Sequence, residues 1–271
     1  MSDNFLIVFG LIFGAIGTTL GSAFVFLLKK DVPAKLNAIF LGFSSGVMIA
    51  ASVWSLLIPA YELSLTLPRY EKVAWLPSLL GFLLGSAFLF FLDKLIPHFH
   101  GISKEEEGLE SKRISRGWKL FLAMTIHNIP EGLAVGFAFG AAAALGNEGG
   151  ANVVSLFGAF ALSLGIFIQN VPEGAAVAMP LYTESGSRKK AFFLGTLSGL
   201  VEPLFGVIGF FLAHQIATLL PWFLAFAAGA MVYVVVDELI PEASQGDYKH
   251  FGTFGVIFGF ALMMVLDIAL G

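Results

Sequence analysis

The chain has 271 residues, of which 57% are hydrophobic and 13% are charged, and its formal net charge is -4. Soluble domains have about 25% charged residues, so this composition excludes an ordinary soluble fold and indicates a membrane-embedded protein with no separate soluble domain. No basic patch large enough for nucleic acid is present. The absence of cysteine excludes disulfides, thiolate metal ligands and thiol nucleophiles.

Eight apolar runs follow one another along the chain. Because a spanning helix needs about 20 apolar residues, we predict an all-α polytopic membrane protein with eight transmembrane helices in a single membrane domain, residues 1–271. The predicted spans are 5–28, 34–59, 74–96, 118–145, 151–182, 190–216, 221–241 and 251–270.

Basic residues are distributed unequally between the two ends of these spans. Of the 15 lysines and arginines, all except Arg69 and Lys72 lie in or next to connections on the same side of the predicted membrane. Because cytoplasmic loops carry the excess of lysine and arginine, we predict that both termini are extracytoplasmic.

The longest connection, residues 97–117, joins helices three and four and is predicted to be a cytoplasmic loop. Its glutamates and basic residues are typical of a solvated, mobile segment. His98 and His100 also offer two imidazoles that could catch a released metal. His-x-His is a weak signal, and both interpretations stay open on the sequence alone.

Helices four and five each contain a polar hexapeptide within apolar sequence. The first is His-Asn-Ile-Pro-Glu-Gly at 127–132 and the second is Gln-Asn-Val-Pro-Glu-Gly at 169–174. In each, the glutamate shares a helix face with the residues three and four positions earlier. The proline is expected to kink the helix, and the glycine permits close helix approach. The pair, with a repeated Leu-Ile-Pro at 57–59, 95–97 and 239–241, is typical of secondary transporters.

An ionisable residue at membrane depth is costly and indicates a functional site. Two carboxylates placed there disfavour each other's charge, and a divalent cation supplies the charge that they lack. We therefore predict that the hexapeptides are two halves of one cation site, and that metal entry releases protons. Helix six adds Glu202 beside Pro203. The candidate ligands are His127, Asn128, Glu131, Gln169, Asn170, Glu173 and Glu202.

A polar hinge is the alternative interpretation, because buried amides can hydrogen-bond helices together. A hinge accounts for Asn128 and Asn170. It does not account for Glu131, Glu173 and Glu202, which have no buried lysine or arginine to pair with. The cation site is therefore the stronger hypothesis.

Further acidic residues lie at the inner ends of helices three and seven, namely Asp93, Asp237, Glu238 and Glu242. They are either solvated helix-end charges or an acidic exit path. Asp267, in the last apolar run, marks either a polar contact with helix seven or a helix end near the interface.

With these motifs the chain resembles the ZIP (Zrt-/Irt-like) family of divalent metal transporters, and most resembles its bacterial GufA-like branch. The resemblance covers essentially the whole chain. It implies a multi-pass protein of the bacterial cytoplasmic membrane, often a homodimer. In this fold helices one, four, five and six move as a unit against helices two, three, seven and eight.

The resemblance also implies a binuclear site midway through the membrane. The transported metal would be held by Met48, His127, Glu131, Gln169 and Glu173, although spacing alone marks Met48 as ordinary packing. A second metal would be held by Asn128, Glu131, Asn170, Glu173 and Glu202. The inner release route would include Asp93, His98, His100, Asp237, Glu238 and Glu242. Many family members have histidine where Gln169 stands, so cadmium, iron or manganese could compete with zinc.

The predicted function is transport of a divalent metal, zinc first, into the cytoplasm by alternating access. The metal is the substrate, no cofactor is expected, and the partners are metal ions and the lipid bilayer, without nucleic acid. A channel-like mechanism stays open.

The alternative is an intramembrane zinc-dependent hydrolase with Glu131 or Glu173 as base. A catalytic zinc usually has three protein ligands, often several histidines, and His127 is the only histidine predicted at the centre of the membrane. A metal-sensing or structural protein is the third hypothesis.

Overall fold

The computed structural model describes residues 3–27, 33–70, 72–95, 98–99, 106–107, 116–145 and 154–270. Within these ranges, eight helices are long and apolar enough to cross a membrane, which confirms the predicted all-α membrane fold. The helices are α1 (Asp3–Leu27), α2 (Ala34–Thr66), α3 (Trp75–Leu95), α4 (Arg116–Leu145), α5 (Leu156–Ser185), α6 (Arg188–Gln215), α7 (Leu220–Ala243) and α8 (Lys249–Leu270).

The described part of the connection between α3 and α4 is a short antiparallel pair of strands. Strand β1 (His98–Phe99) pairs with β2 (Glu106–Glu107), and His98 lies opposite Glu107. The side chain of His98 and all of His100 lie outside the described residues. Their predicted part in metal release therefore stays a prediction.

The turn between α5 and α6 is only two residues long. Gly186 ends α5 with a left-handed φ of 65°, a conformation that glycine adopts without a Cβ clash. Ser187 then caps α6 by accepting a hydrogen bond from the amide of Lys190 at 3.4 Å. This tight turn fixes α5 and α6 as antiparallel neighbours.

The helices form two groups. In the first group α1 packs on α5 and α4 packs on α6, and in the second group α2 packs on α8 and α3 packs on α7. Backbones approach closely within each group. A Cβ at Gly132 on α4, for example, would overlap the carbonyl oxygen of Glu202 on α6. The groups meet where α2 and α8 contact α5, and where α7 contacts α4.

Prolines widen two helices of the second group. π-Helical turns at Ser52–Leu57 in α2 and Val235–Leu239 in α7 lie directly before Pro59 and Pro241. Proline has no N–H to donate to the carbonyl four residues earlier. The backbone hydrogen bonds next to it therefore span five residues, as in a π-helix, in place of four. Two of the three Leu-Ile-Pro repeats thus mark π-turns, a consequence that the sequence analysis did not predict.

Prolines act differently in the first group. Helices α4 and α5 pass through Pro130 and Pro172 without a break in the helix. Helix α6 is interrupted at Leu200, between Arg188–Gly199 and Val201–Gln215. The interruption places Glu202 in the first turn of the second segment, at the depth of the hexapeptides.

Candidate metal-binding site

The polar residues of the two hexapeptides meet at the buried centre of the bundle. Nε2 of Gln169 on α5 donates to Oε1 of Glu131 on α4 at 2.5 Å. Each of the six polar residues is at most 7% exposed. The structure therefore brings together the two clusters that the sequence placed on separate helices.

The three amide side chains of the cluster are oriented alike. The amide nitrogen of Asn128 donates to the Ser198 carbonyl at 2.9 Å, and those of Gln169 and Asn170 donate to carboxylates at 2.5 and 2.7 Å. The amide oxygens of all three are buried without a hydrogen-bond partner. Since an amide oxygen can only accept, this orientation suits a cation ligand. A hinge would use both ends of each amide.

Three carboxylates belong to the same buried cluster. Glu131, Glu173 and Glu202 are buried and interact electrostatically. One oxygen of Glu131 (Oε2) and one of Glu173 (Oε1) also lack a hydrogen-bond partner. The sequence has no lysine or arginine within 120–187 or 191–248. Buried charge needs a partner, and a divalent cation is the partner that this donor set fits.

His127 links this cluster to acidic residues on α3 and α7. Its Nε2 lies 2.8 Å from Oε1 of Glu238 on α7. Glu238, Asp93 and Asp237 each place a carboxylate oxygen within 4.8 Å of the others. The structure thus joins three of the predicted release residues to the site, whereas Glu242 lines a separate cavity beside the start of α2.

Met48 lies on the face of α2 that packs against α5. Its side chain is 1% exposed. Ser44, one helical turn earlier on the same face, donates to the backbone carbonyl of Gln169 at 3.3 Å. This placement is consistent with Met48 as a thioether ligand. Ser44 was not among the residues that the sequence predicted for the site.

Helix α1 contributes two residues that the sequence analysis missed. The hydroxyl of Thr18 donates to Oε1 of Glu202 at 3.2 Å, and the carbonyl of Gly14 accepts from Asn170 at 3.2 Å. A visible sign in the sequence is the pair Thr18-Thr19, polar residues in the middle of an apolar run.

A cavity of about 220 Å³ opens between α2, α4, α5 and α8, towards the ends that carry Thr66 and the C-terminus. Asp267 on its wall accepts a hydrogen bond from Ser55 at 2.5 Å, and its second oxygen has no partner. Glu62 also lines the cavity. Asp267 therefore contacts helix two, a partner that neither of the two interpretations of the sequence named.

Comparison with known proteins gives a consistent result across the chain. The family model described as ZIP Zinc transporter matches residues 100–267. Zinc transporter ZIP11 of Xenopus tropicalis is 38% identical over 322 residues, covering 94% of each chain. Zinc transporter GufA of Myxococcus xanthus is 39% identical over 256 residues, covering 94% of this chain and 96% of the relative. Zinc transporter ZupT of Chlorobaculum parvum is 36% identical over 283 residues, covering 98% of both.

Proposed function

Since the chain belongs to the ZIP family of zinc transporters, we propose that it carries zinc across the bacterial cytoplasmic membrane into the cytoplasm by alternating access. The metal is the substrate. The observation that supports a cation site best is a set of five buried oxygens without hydrogen-bond partners among the described residues. They are Oδ1 of Asn128, Oε2 of Glu131, Oε1 of Gln169, Oδ1 of Asn170 and Oε1 of Glu173.

The site is proposed to be binuclear, with Glu131 and Glu173 shared by both metals. The donor set combines an imidazole, a thioether and oxygens without a thiolate, which suits zinc and allows cadmium, iron or manganese to compete. The first metal would be bound by Met48, His127, Glu131, Gln169 and Glu173. The second would be bound by Asn128, Glu131, Asn170, Glu173 and Glu202.

Alternating access is supported by how the proposed ligands are divided between the two helix groups. All of them except Met48 lie on α4, α5 and α6 of the first group, whereas Met48 lies on α2 of the second, and Glu238, which contacts the ligand His127, lies on α7 of the second. A displacement of one group relative to the other changes which of these side chains reach the metal. We propose that the metal enters by the cavity at Asp267 and leaves past Glu238.

The direct test is metal uptake into sealed proteoliposomes that contain a zinc-sensitive dye. We expect the purified protein to produce a fluorescence rise on addition of zinc and, with a matching dye, of cadmium. Protein-free liposomes are the control. Absence of flux in folded, correctly inserted protein would contradict the transport proposal. Turnover of a lipid or peptide by that protein would favour the hydrolase hypothesis.

The orientation gives a prediction that uses the natural absence of cysteine. Single cysteines at Thr66 and Ser185, both exposed at helix ends, mark opposite sides of the membrane. With both termini outside, we expect a membrane-impermeant maleimide to label Thr66→Cys in intact cells, and Ser185→Cys only after permeabilisation. The unsubstituted chain is the blank. The reverse pattern would mean that the termini lie in the cytoplasm.

The contact between His127 and Glu238 gives a second prediction. A metal that binds Nε2 of His127 must first break the contact of this atom with Glu238. Breaking it reduces the free energy of metal binding, because a hydrogen bond to a charged group contributes about 1.5–3 kcal/mol. We expect Glu238→Gln to tighten equilibrium zinc binding by roughly tenfold and to slow release. Glu242→Gln, one turn later on α7, is the matched control. Weaker zinc binding in Glu238→Gln would instead identify Glu238 as a metal ligand.

A further inference from the structure

The second metal position is bounded by α1, a helix that supplies none of the proposed ligands. Gly14 and Thr18 are four residues apart and therefore share one face of α1. That face packs on α5 and also contacts α6. Both residues are buried, and Thr18 is 1% exposed. The polar contacts of this face are therefore made inside the protein and not with lipid.

These two residues surround the carboxylate of Glu202. Its Oε1 accepts hydrogen bonds from Thr18 Oγ1 at 3.2 Å and from Asn170 Nδ2 at 2.7 Å. Its Oε2 lies against Gly14, where a Cβ would overlap the carboxylate oxygen. The carboxylate is thus oriented by two donors at one oxygen, and by the space that a glycine leaves at the other.

The same helix fixes the orientation of the Asn170 amide. An asparagine amide has two N–H donors, and those of Asn170 point to Oε1 of Glu202 and to the Gly14 carbonyl at 3.2 Å. With the nitrogen held there, Oδ1 points away and has no hydrogen-bond partner. Helix α1 therefore decides which end of this amide is free for a cation.

We infer that Gly14 and Thr18 are positioning residues for the second metal, an inference that rests on the proposed binuclear site. Neither residue touches the metal. Thr18 donates to the Glu202 carboxylate, Gly14 leaves space for its other oxygen, and the Gly14 carbonyl accepts from Asn170, so α1 sets the orientation of both proposed ligands. Groups that orient metal ligands in this way typically contribute about 10–100-fold in metal affinity.

The test is a zinc titration of the purified full chain by equilibrium dialysis with metal analysis. We expect Thr18→Val, which keeps the shape and removes the donor, to weaken the second zinc about 10–100-fold and to leave the first unchanged. Thr18→Ser keeps the hydroxyl donor, so it should bind the second zinc with an affinity close to that of the wild type. Thr19→Val is the matched control, because the Thr19 hydroxyl donates only within its own helix, to the Ala15 carbonyl at 2.8 Å.

A pair of alanine substitutions tests the role of Gly14 separately. We expect Gly14→Ala to displace Glu202 and abolish binding of the second zinc. Gly10→Ala, one turn earlier, would crowd the ring of Phe139 and not the site, so it should keep both metals. Thermal unfolding of both variants without metal shows whether either has lost its fold.

The outcomes separate this inference from the function on which it rests. Wild-type protein that binds no zinc contradicts the proposed transport site itself, and wild-type protein that binds one zinc contradicts the binuclear site. If wild type binds two, equal second-zinc affinities in Thr18→Val and Thr19→Val overturn the inference. Equal weakening of both metals in Thr18→Val also overturns it, because it would show a general structural role.

Discussion

Replacing Glu131 with glutamine is expected to abolish zinc uptake into proteoliposomes, with a loss of at least about a hundredfold. Groups that only orient metal ligands already contribute about 10–100-fold in affinity, and Glu131 is proposed to bind both metals. Glutamine keeps the shape and an oxygen that can still accept from Gln169, so the substitution removes the charge alone. Uptake is measured with the internal dye over a range of zinc concentrations.

The matched control is Glu184→Gln, at the exposed end of α5 and outside the site. It should transport like the wild type. Retained thermal stability of Glu131→Gln would exclude loss of fold as the cause. Equal flux in the two variants would mean that the hexapeptides are not the transport site, even if the protein carries metal.

A disulfide between the two helix groups is expected to stop transport completely and reversibly. A Cβ at Gly165 on α5 would lie 3.5 Å from Cγ1 of Val47 on α2, an atom whose place the Sγ of a cysteine can take, so the two side chains are close enough to be cross-linked. The flexible side chain of Met263 has to move aside. Alternating access requires the groups to move against each other, so we expect oxidised Val47→Cys/Gly165→Cys to lose uptake and to recover it on reduction.

A cysteine pair within one group is the control for this experiment. A Cβ at Gly195 on α6 would lie 3.5 Å from the Cβ of Ala178 on α5, both in the first group. Oxidised Ala178→Cys/Gly195→Cys should keep uptake, because the two helices are expected to move together. Cross-link yield is measured by mass spectrometry. Full uptake by a fully cross-linked Val47/Gly165 pair would support a channel-like mechanism through a static bundle.

The sequence predicted the fold well because the membrane restricts the choices. A bilayer-spanning helix must be long and apolar, so eight apolar runs give eight helices, and the predicted boundaries agree with the structure to within a few residues at most ends. Helix α2 is the main exception. It continues beyond Pro59 to Thr66, because a π-turn before the proline allows the helix to go on.

The candidate ligands were also predictable one helix at a time. Buried carboxylates without basic partners stand out in an apolar background, and the spacing within each hexapeptide places its polar residues on one face. The contact of Gln169 with Glu131 agrees with the prediction that the two faces meet.

Apolar length and residue spacing along the chain are therefore enough to define each helix and the polar residues that it presents. The partners that these residues meet become visible when the helices are packed together: Thr18 with Glu202, Ser44 with the Gln169 carbonyl, and His127 with Glu238. These contacts join helices that are distant in the chain, and they depend on how far each helix slides and rotates against its neighbour. In this protein that register is set by backbone contacts between small residues, and no spacing within a single helix encodes it.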